Sequence, residues 1–261
     1  MAESLRPSNE ALRLDALRSY EVLDTPPDSG LDDLVRLVAE RFSTPTAVVC
    51  LVAADRVWFK ARHGIDTCGG SRDEALANRA ILDPEVMVVP DARADERFRD
   101  MRCVTGPLNV RFYAAAPLVT PEGFALGALS VLGPEPREMT DADRADLAAY
   151  ARQAMSHLEL HRRVADHERA QDDIEAYREA LEVEVIRRTR EISQTREEVV
   201  HCLARAAEYR DDNTGRHTRR VGAYVTVLAE AIGLRAGEAK AMGLAATLHD
   251  IGKIGVPDRI L

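Results

Sequence analysis

The densest group of chemically useful side chains lies near the end of the sequence, in residues 248–258. His249 stands beside Asp250, and Lys253 follows them. A neutral imidazole nitrogen and a carboxylate are both ligands for divalent metal ions. If the preceding helix continues, the ammonium of Lys253 comes round to the same helical face, where a phosphate ester can sit. These residue types and spacings predict metal-dependent phosphate chemistry.

A third metal-binding side chain, His217, lies upstream of this group. Apolar residues at helical spacing predict one helix through residues 221–232, ended by Gly233, and another through residues 236–248. His217 and the His249–Asp250 pair therefore lie on different helices. They converge if those helices pack, which is how helical bundles build metal sites.

Composition excludes several classes of protein. The formal net charge of −9 argues against a broad surface for nucleic acid or an anionic membrane. No signal peptide is recognisable, and no segment approaches the roughly 20 apolar residues of a membrane span. The cysteines Cys50, Cys68, Cys103 and Cys202 form no CxxC pair, which favours reduced thiols over a zinc ribbon or disulfides. We expect a soluble, cytoplasmic protein without a membrane span or a nucleic-acid partner.

Helical and strand patterns alternate through the first 150 or so residues, which predicts an α+β fold with an antiparallel sheet. Two hairpins are predicted, one turning near residues 55–56 and one turning at residues 120–123. Thr140 is the predicted N-cap of a long helix. The predicted helices cover residues 9–23, 30–42 and 72–82, and the predicted strands cover residues 46–53, 57–62, 86–89, 111–118 and 124–132.

This order of elements, together with four segments, closely resembles a bacterial GAF domain over residues 8–160. The segments are residues 23–27 (LDTPP), 55–64 (DRVWFKARHG), 89–93 (VPDAR) and 111–118 (RFYAAAPL). The resemblance implies an antiparallel sheet flanked by helices, with a pocket for a small molecule on one sheet face. It does not identify the ligand, because proteins of one fold bind many different molecules.

The predicted pocket lacks marks of a known cofactor. Cys68 is not followed by the histidine of bilin-binding relatives, and residues 74–80 replace a Ser-Phe-Cys-Ala-His type segment. His63 is interpreted as a turn residue. Aromatic residues on half-buried strands belong more often to the core than to a pocket, and here they are Trp58, Phe59, Phe112 and Tyr113. A degenerate sensor or a dimerisation module fits this pattern.

Residues 142–203 contain neither glycine nor proline, which predicts one continuous helix. Residues 161–200 form the predicted connector. Its apolar residues fall at steps of three, four and seven, interrupted by Arg188 and Thr195, and they predict a short coiled coil of a parallel homodimer. The alternative is a single exposed helix. The apolar seam consists of Ile174, Tyr177, Leu181, Val185, Ile192 and Val199.

The remaining residues, 201–261, resemble the start of an HD-GYP domain, a class of HD-superfamily phosphohydrolases that hydrolyse cyclic di-GMP. The matching segments are residues 206–211 (AAEYRD), 214–217 (TGRH) and 248–258 (LHDIGKIGVPD). The resemblance implies that His217, His249 and Asp250 are metal ligands, that Asp250 bridges a pair of Fe or Mn ions, and that Lys253 contacts the phosphate. Asp250 and Lys253 are then the catalytic residues. A metal pair lowers the pKa of water, and a lysine neutralises charge on phosphoryl oxygens.

Two departures from the HD-GYP pattern limit what is expected of these 261 residues. Asn213 stands where many relatives have glutamate, which disfavours a third metal because an amide oxygen is a weaker ligand. The later histidines, the Gly-Tyr-Pro segment and a further aspartate of the family have no counterpart. We therefore expect a partial all-α HD bundle, inactive by itself, from either a longer protein or a truncated regulatory product.

The sequence thus predicts a signalling protein with a GAF sensory domain and an incomplete HD-GYP phosphodiesterase domain. The intact form is expected to hydrolyse cyclic di-GMP to pGpG or GMP. Two alternatives stay open. One is a non-catalytic GAF and coiled-coil module that binds a ligand or a partner, and the other is an HD phosphohydrolase acting on another nucleotide.

Overall fold

The computed structural model describes residues 6–208 and 217–256. The chain divides into two compact units, Met1–Ala170 and Gln171–Leu261. A single long helix begins in the first unit and ends in the second. The narrower boundaries predicted at residues 160 and 200 stay predictions.

The first unit is built on a six-stranded sheet whose neighbouring strands are all antiparallel, in the order β3-β2-β1-β6-β5-β4. Both predicted hairpins, β1–β2 and β5–β6, are confirmed. Strands β1 and β6 form the centre, and both are almost entirely buried. The strands are β1 Thr46–Val52, β2 Arg56–His63, β3 Gly69–Ser71, β4 Met87–Val89, β5 Phe112–Val119 and β6 Ala125–Gly133.

Helices cover one face of this sheet and form the main hydrophobic core with it. Leu17 of α1, Val35 of α2 and Leu147 and Leu158 of α5 are buried there against strand residues such as Leu129. Apolar residues at helical spacing thus build one side of the core, as the sequence predicts. The helices of this unit are α1 Glu10–Ser19, α2 Ser29–Phe42, α3 Ala77–Ala80, α4 Arg102–Thr105 and the start of α5 Asp141–Glu208.

The helix predicted over residues 72–82 is wrong in extent, because only the four residues of α3 are helical. Arg72, at its start, is buried and bonds to three separate parts of the unit. Its guanidinium donates to the Glu10 carboxylate at 2.5 Å, the Ala53 carbonyl at 2.9 Å and the Asn78 side chain at 2.8 Å. These tertiary bonds hold the segment in an irregular path that its helical periodicity does not reveal.

The long helix α5 confirms the continuous helix predicted from the lack of glycine and proline. Thr140 precedes it, and its hydroxyl accepts from the backbone N–H of Asp143 at 3.1 Å, as an N-cap does. Between residues 174 and 199 the seam residues are exposed; Ile174, Leu181 and Ile192 are 61%, 44% and 68% exposed. Among the described helices, none combines the length and apolar character of a membrane span.

The described part of the second unit is helical throughout. It contains the end of α5, α6 His217–Ala231, α7 Ala236–Ala246 and a 3-10 turn at Ile251–Gly255. Helix α7 ends at Ala246, so the expectation that the helix continues to Leu248 is wrong. The Thr247 hydroxyl donates to the Leu244 carbonyl at 2.6 Å and satisfies one of the carbonyls that a helix end leaves open.

Candidate metal centre

Three of the predicted site residues meet in the second unit. His217 is the first residue of α6, whereas His249 and Asp250 lie in the turn after α7. One ligand atom from each of the three lies within 4.8 Å of the others. The two imidazole rings have centroids 5.5 Å apart and meet at 69°. The described structure therefore brings together the three side chains predicted as metal ligands.

A close contact between two glycines sets this meeting point. A Cβ atom at Gly222 of α6 would lie 2.8 Å from the Gly243 carbonyl oxygen, and one at Gly243 of α7 would lie 1.9 Å from the Thr226 hydroxyl. The two helix backbones approach closely because neither residue has a side chain. The same contact places Thr247 against Gly222 and so brings the end of α7 to the start of α6. Glycines inside helical patterns are the signal that the sequence predictions missed.

His249 presents one defined nitrogen to the site. Its Nδ1 lies 3.0 Å from the Ala246 carbonyl oxygen. A carbonyl only accepts, so Nδ1 carries the proton in the neutral ring and Nε2 keeps its lone pair. That Nε2 lies 3.2 Å from Oδ2 of Asp250. A backbone carbonyl that orients a histidine in this way is typical of metal ligands, and the residues present fit a divalent ion.

Lys253 lies in the 3-10 turn, and its Nζ is 3.1 Å from Oδ2 of Asp250. Helix α7 does not continue to Lys253, so the condition of that prediction is not met, and the 3-10 turn brings the lysine to Asp250 instead. The hydrogen bond from Lys253 lowers the pKa of Asp250 against an opposing effect of burial, and electrostatic interaction with the neighbouring side chains of His249, Lys253 and His217 lowers it further. The carboxylate is therefore ionised at neutral pH, as a metal ligand must be.

The cluster is open to solvent and small. The side chains of Asp250 and Lys253 are about one third exposed. The described residues supply three ligands. Two metal ions together require more ligands than this. Asn213, predicted to disfavour a third metal, lies outside the described residues, as do residues 209–211, 214–216 and 257–258 of the matching segments.

The first unit holds a cavity of about 360 Å³ on the sheet face opposite the main core. Of the four aromatic residues considered for a pocket, Phe59 and Tyr113 line it, whereas Phe112 and Trp58 pack in the main core. Tyr113 and Phe59 also pack in hydrophobic clusters on the cavity side of the sheet, so the prediction that these aromatics belong to the core is confirmed, and two of them line the cavity as well. The apolar lining includes Val48, Val57, Ile65, Leu76, Val110 and Leu132.

The buried polar groups of this cavity are uncharged. Burial raises the pKa of the Cys50 thiol to about 12 and also raises that of the Tyr113 hydroxyl. The Tyr113 hydroxyl lies 3.0 Å from that of Ser130, so each has a hydrogen-bond partner. The cavity suits binding of a small, mainly apolar molecule, and Cys50 has no reactive thiolate at neutral pH.

A comparison with known protein families bears on the metal cluster of the second unit. Residues 214–261 match the model of the HD domain. This segment is similar to the HD domain. The match covers His217, His249, Asp250 and Lys253, so the HD segment contains every residue of the metal cluster.

Two curated relatives share sequence with the chain. A cyclic di-GMP phosphodiesterase of Pseudomonas aeruginosa is 35% identical over 159 residues, which cover 60% of this chain and 27% of the relative. A 3'3'-cGAMP-specific phosphodiesterase of Vibrio cholerae is 39% identical over 89 residues, which cover 34% of this chain and 17% of the relative. The matched regions thus span about a quarter or less of these relatives' length.

Solved structures resemble the first unit. The GAF domain of an Acinetobacter phosphoenolpyruvate-protein phosphotransferase superposes with a TM-score of 0.45 and 18% identity, covering 59% of this chain and 98% of that domain. The predicted fold class is confirmed within the described structure itself: an antiparallel sheet with helices, then a long helix, then a helical segment that matches the HD-domain model.

Proposed function

We propose that the chain is part of a metal-dependent phosphodiesterase of the HD-GYP type, with cyclic di-GMP as its substrate. The observation that carries the proposal is the meeting of His217, His249 and Asp250 beside Lys253 in a segment that matches the HD-domain model. The name of the Pseudomonas relative supports the substrate. In this proposal His217, His249 and Asp250 would hold part of a pair of Fe or Mn ions.

The chain's own residues have distinct tasks in this chemistry. Bound divalent ions would supply Lewis acidity and lower the pKa of water. The Ala246 carbonyl holds His249 in the tautomer that leaves Nε2 free to bind a metal ion. Asp250 stays ionised because Lys253 bonds to it, and Lys253 places a positive charge beside the ligands, where it can neutralise charge on a phosphoryl oxygen.

We further propose that the 261-residue polypeptide does not hydrolyse the substrate by itself. Three ligands in the described residues leave the coordination of two ions incomplete, and both curated relatives are several times longer than their matched regions. A substrate can still bind through the metal ligands and Lys253. A second candidate substrate, 3'3'-cGAMP, is favoured by the name of the Vibrio relative.

The first unit has a regulatory part in this proposal. Its cavity binds a small, mainly apolar molecule of unidentified structure, in keeping with a cytoplasmic sensor. The exposed apolar seam of α5 pairs two copies as a parallel coiled coil. Because α5 contributes to the core of the first unit and continues into the second, a ligand that changes the first unit can act through this helix.

Binding and turnover assays on the 261-residue chain test the proposal. With Mn²⁺, or Fe²⁺ without oxygen, we expect cyclic di-GMP to bind but no linear product to form on chromatography. Lys253→Ala should lower the affinity about tenfold or more, because a charge-assisted hydrogen bond to the phosphate is lost. Lys240→Ala is the matched control, since Lys240 pairs with Glu197 instead.

Each other outcome has a defined meaning. Robust hydrolysis by this chain would contradict the proposed inactivity. Metal-dependent binding of 3'3'-cGAMP without binding of cyclic di-GMP would replace the proposed substrate. Binding of neither nucleotide would favour the non-catalytic module.

A further inference from the structure

A second group of metal-binding side chains lies in the first unit, outside the HD segment. Nε2 of His157 lies 2.9 Å from both carboxylate oxygens of Asp28, and Nε2 of His161 lies 3.4 Å from Oδ2 of the same carboxylate. One ligand atom from each residue lies within 4.8 Å of the others. Two imidazoles thus converge on one carboxylate.

Two helices hold these three side chains in place. Asp28 is the N-cap of α2, and its Oδ1 accepts from the backbone N–H groups of Gly30 and Leu31 at 3.0 and 3.1 Å. His157 and His161 are four residues apart on α5 and so share one helical face. Leu158 between them is 1% exposed in the main core, which fixes the rotation of the helix.

Gly30 leaves the space that the His157 ring occupies. A Cβ atom at Gly30 would lie 2.7 Å from Cε1 of His157, closer than any side chain tolerates. The glycine thus lets the imidazole approach the start of α2. The nearby Lys60 ammonium is held by the Thr25 hydroxyl at 2.6 Å and the Pro26 carbonyl at 2.9 Å.

We propose that Asp28, His157 and His161 form a separate binding site for a divalent transition-metal ion, with Zn²⁺ the best match. Two imidazole nitrogens and one carboxylate oxygen are a donor set for Zn²⁺, whereas Mg²⁺ and Ca²⁺ prefer oxygen ligands alone. Ligand bonds of 2.0–2.1 Å place neighbouring donors of a tetrahedron about 3.3 Å apart. The separations of 2.9 and 3.4 Å are close to this value.

The site has room for an exchangeable fourth ligand. His161 is 57% exposed, so water reaches the ion from that side, while Asp28 is 9% exposed and anchored by two backbone bonds. A bound ion would tie the start of α2 to α5. It would therefore stabilise the folded first unit, and the stabilisation would grow with the logarithm of the free ion concentration once this exceeds the dissociation constant.

Cobalt titration of the 261-residue chain tests this site, with His217→Ala and His249→Ala introduced together to remove the HD cluster. We expect one equivalent of Co²⁺ to bind, with the visible absorption of a low-coordinate Co²⁺ site, and Zn²⁺ but not Mg²⁺ to displace it. Loss of a hydrogen-bond partner of a metal ligand lowers metal affinity roughly 10- to 100-fold. His161→Ala and Asp28→Asn each remove a ligand itself, so each should lower the Co²⁺ affinity by more than this. His167→Ala, another exposed histidine of α5, should leave it unchanged.

The variants separate metal binding from folding. Asparagine caps a helix as well as aspartate does, and His161 is exposed, so both variants should keep the circular dichroism of the parent chain. A simple hydrogen bond between His157 and Asp28 predicts no Co²⁺ binding in the chain that lacks the HD cluster. That result, or Co²⁺ affinity in His161→Ala and Asp28→Asn unchanged from the chain that lacks only the HD cluster, would overturn the proposal. Neither result bears on the HD cluster.

Discussion

A buried ion cluster ties α1 to the segment before α3. The Glu10 carboxylate accepts from Arg13 at 2.8 Å and from Arg72 at 2.5 Å, and both arginines are almost completely buried. Burial would raise the pKa of Glu10, but hydrogen bonds from Arg13 and Arg72 and their charges outweigh it and lower the pKa to about 2. Breaking such a cluster by removing one partner leaves uncompensated buried charge.

Glu10→Gln should therefore lower the stability of the first unit at neutral pH. The folded pKa of about 2 lies below the ordinary value of 4.5, so Glu10 contributes fully above pH 4.5 and loses its contribution as the pH falls towards 2. The shift corresponds to about 3 kcal/mol. Urea unfolding followed by the fluorescence of Trp58, the single tryptophan, measures this.

The expected signature is a weaker dependence of the free energy of unfolding on pH in Glu10→Gln than in the parent chain between pH 4.5 and 2. Glu40→Gln is the control, because the exposed Glu40–Arg36 pair should contribute little. An unchanged pH dependence in Glu10→Gln would show that the cluster does not hold the Glu10 pKa low.

At the residue scale, the sequence predicted which side chains meet in the HD cluster, but it did not predict the cluster of Asp28, His157 and His161 in the first unit. His249, Asp250 and Lys253 stand together in a recognisable segment, so their proximity could be predicted, although their metal and catalytic roles stay predictions. Asp28 and His157 are 129 residues apart. Two histidines on a charged helix give no signal of a carboxylate that only folding brings to them.

Helices α6 and α7 form the element on which the HD cluster depends. Gly243→Ala should push them apart, since the new Cβ atom meets the Thr226 hydroxyl at 1.9 Å and the Gly222 carbonyl at 2.7 Å. We expect Mn²⁺ affinity at the HD cluster to fall at least about tenfold, although no ligand is changed. Calorimetric titration of the chain with Mn²⁺ measures the loss.

Gly237→Ala is the matched control on the same helix. A Cβ atom at Gly237 meets nothing within 4 Å, and alanine favours the helix by roughly 0.5–1 kcal/mol. This variant should bind Mn²⁺ like the parent chain. Full affinity in Gly243→Ala would show that close helix packing does not position His217 against His249.

The exposed seam of α5 predicts self-association. Leu181→Glu and Ile192→Glu should each shift the chain from dimer to monomer in sedimentation equilibrium, because a charge in an apolar seam is costly to bury. Val183→Glu is the control, since Val183 is 68% exposed but lies off the seam. A dimer that persists in both seam variants would show that the seam does not pair two copies. Helix α5 would then be a single exposed helix.

At the element scale, the sequence was most informative where a pattern is long. The uninterrupted composition of α5, the alternation of apolar and polar residues in β2 and the β-type runs of β1, β5 and β6 predicted those elements. Strand β3, with two glycines and a serine, has no strand propensity and exists because it pairs with β2. Helix α7 ends early because of local bonds at Thr247, which the apolar periodicity does not contain.

At the scale of the whole molecule, the binding cavity and the HD cluster lie in different units. The cavity and the Asp28 cluster lie in the unit Met1–Ala170, and the HD cluster lies in the unit Gln171–Leu261. The sequence predicted both fold types through family resemblance. The cavity's contents could not be predicted, because the lining comes from strands, loops and helices that are far apart along the chain.

Mn²⁺ binding to the HD cluster tests the central proposal most directly. The 261-residue chain, with His157→Ala and His161→Ala removing the other cluster, is titrated while electron paramagnetic resonance follows the free ion. We predict saturable binding that weakens at least about tenfold in His217→Ala and Asp250→Asn and is unchanged in His167→Ala. Equal Mn²⁺ affinity in all these variants, or no binding at all, would contradict the account.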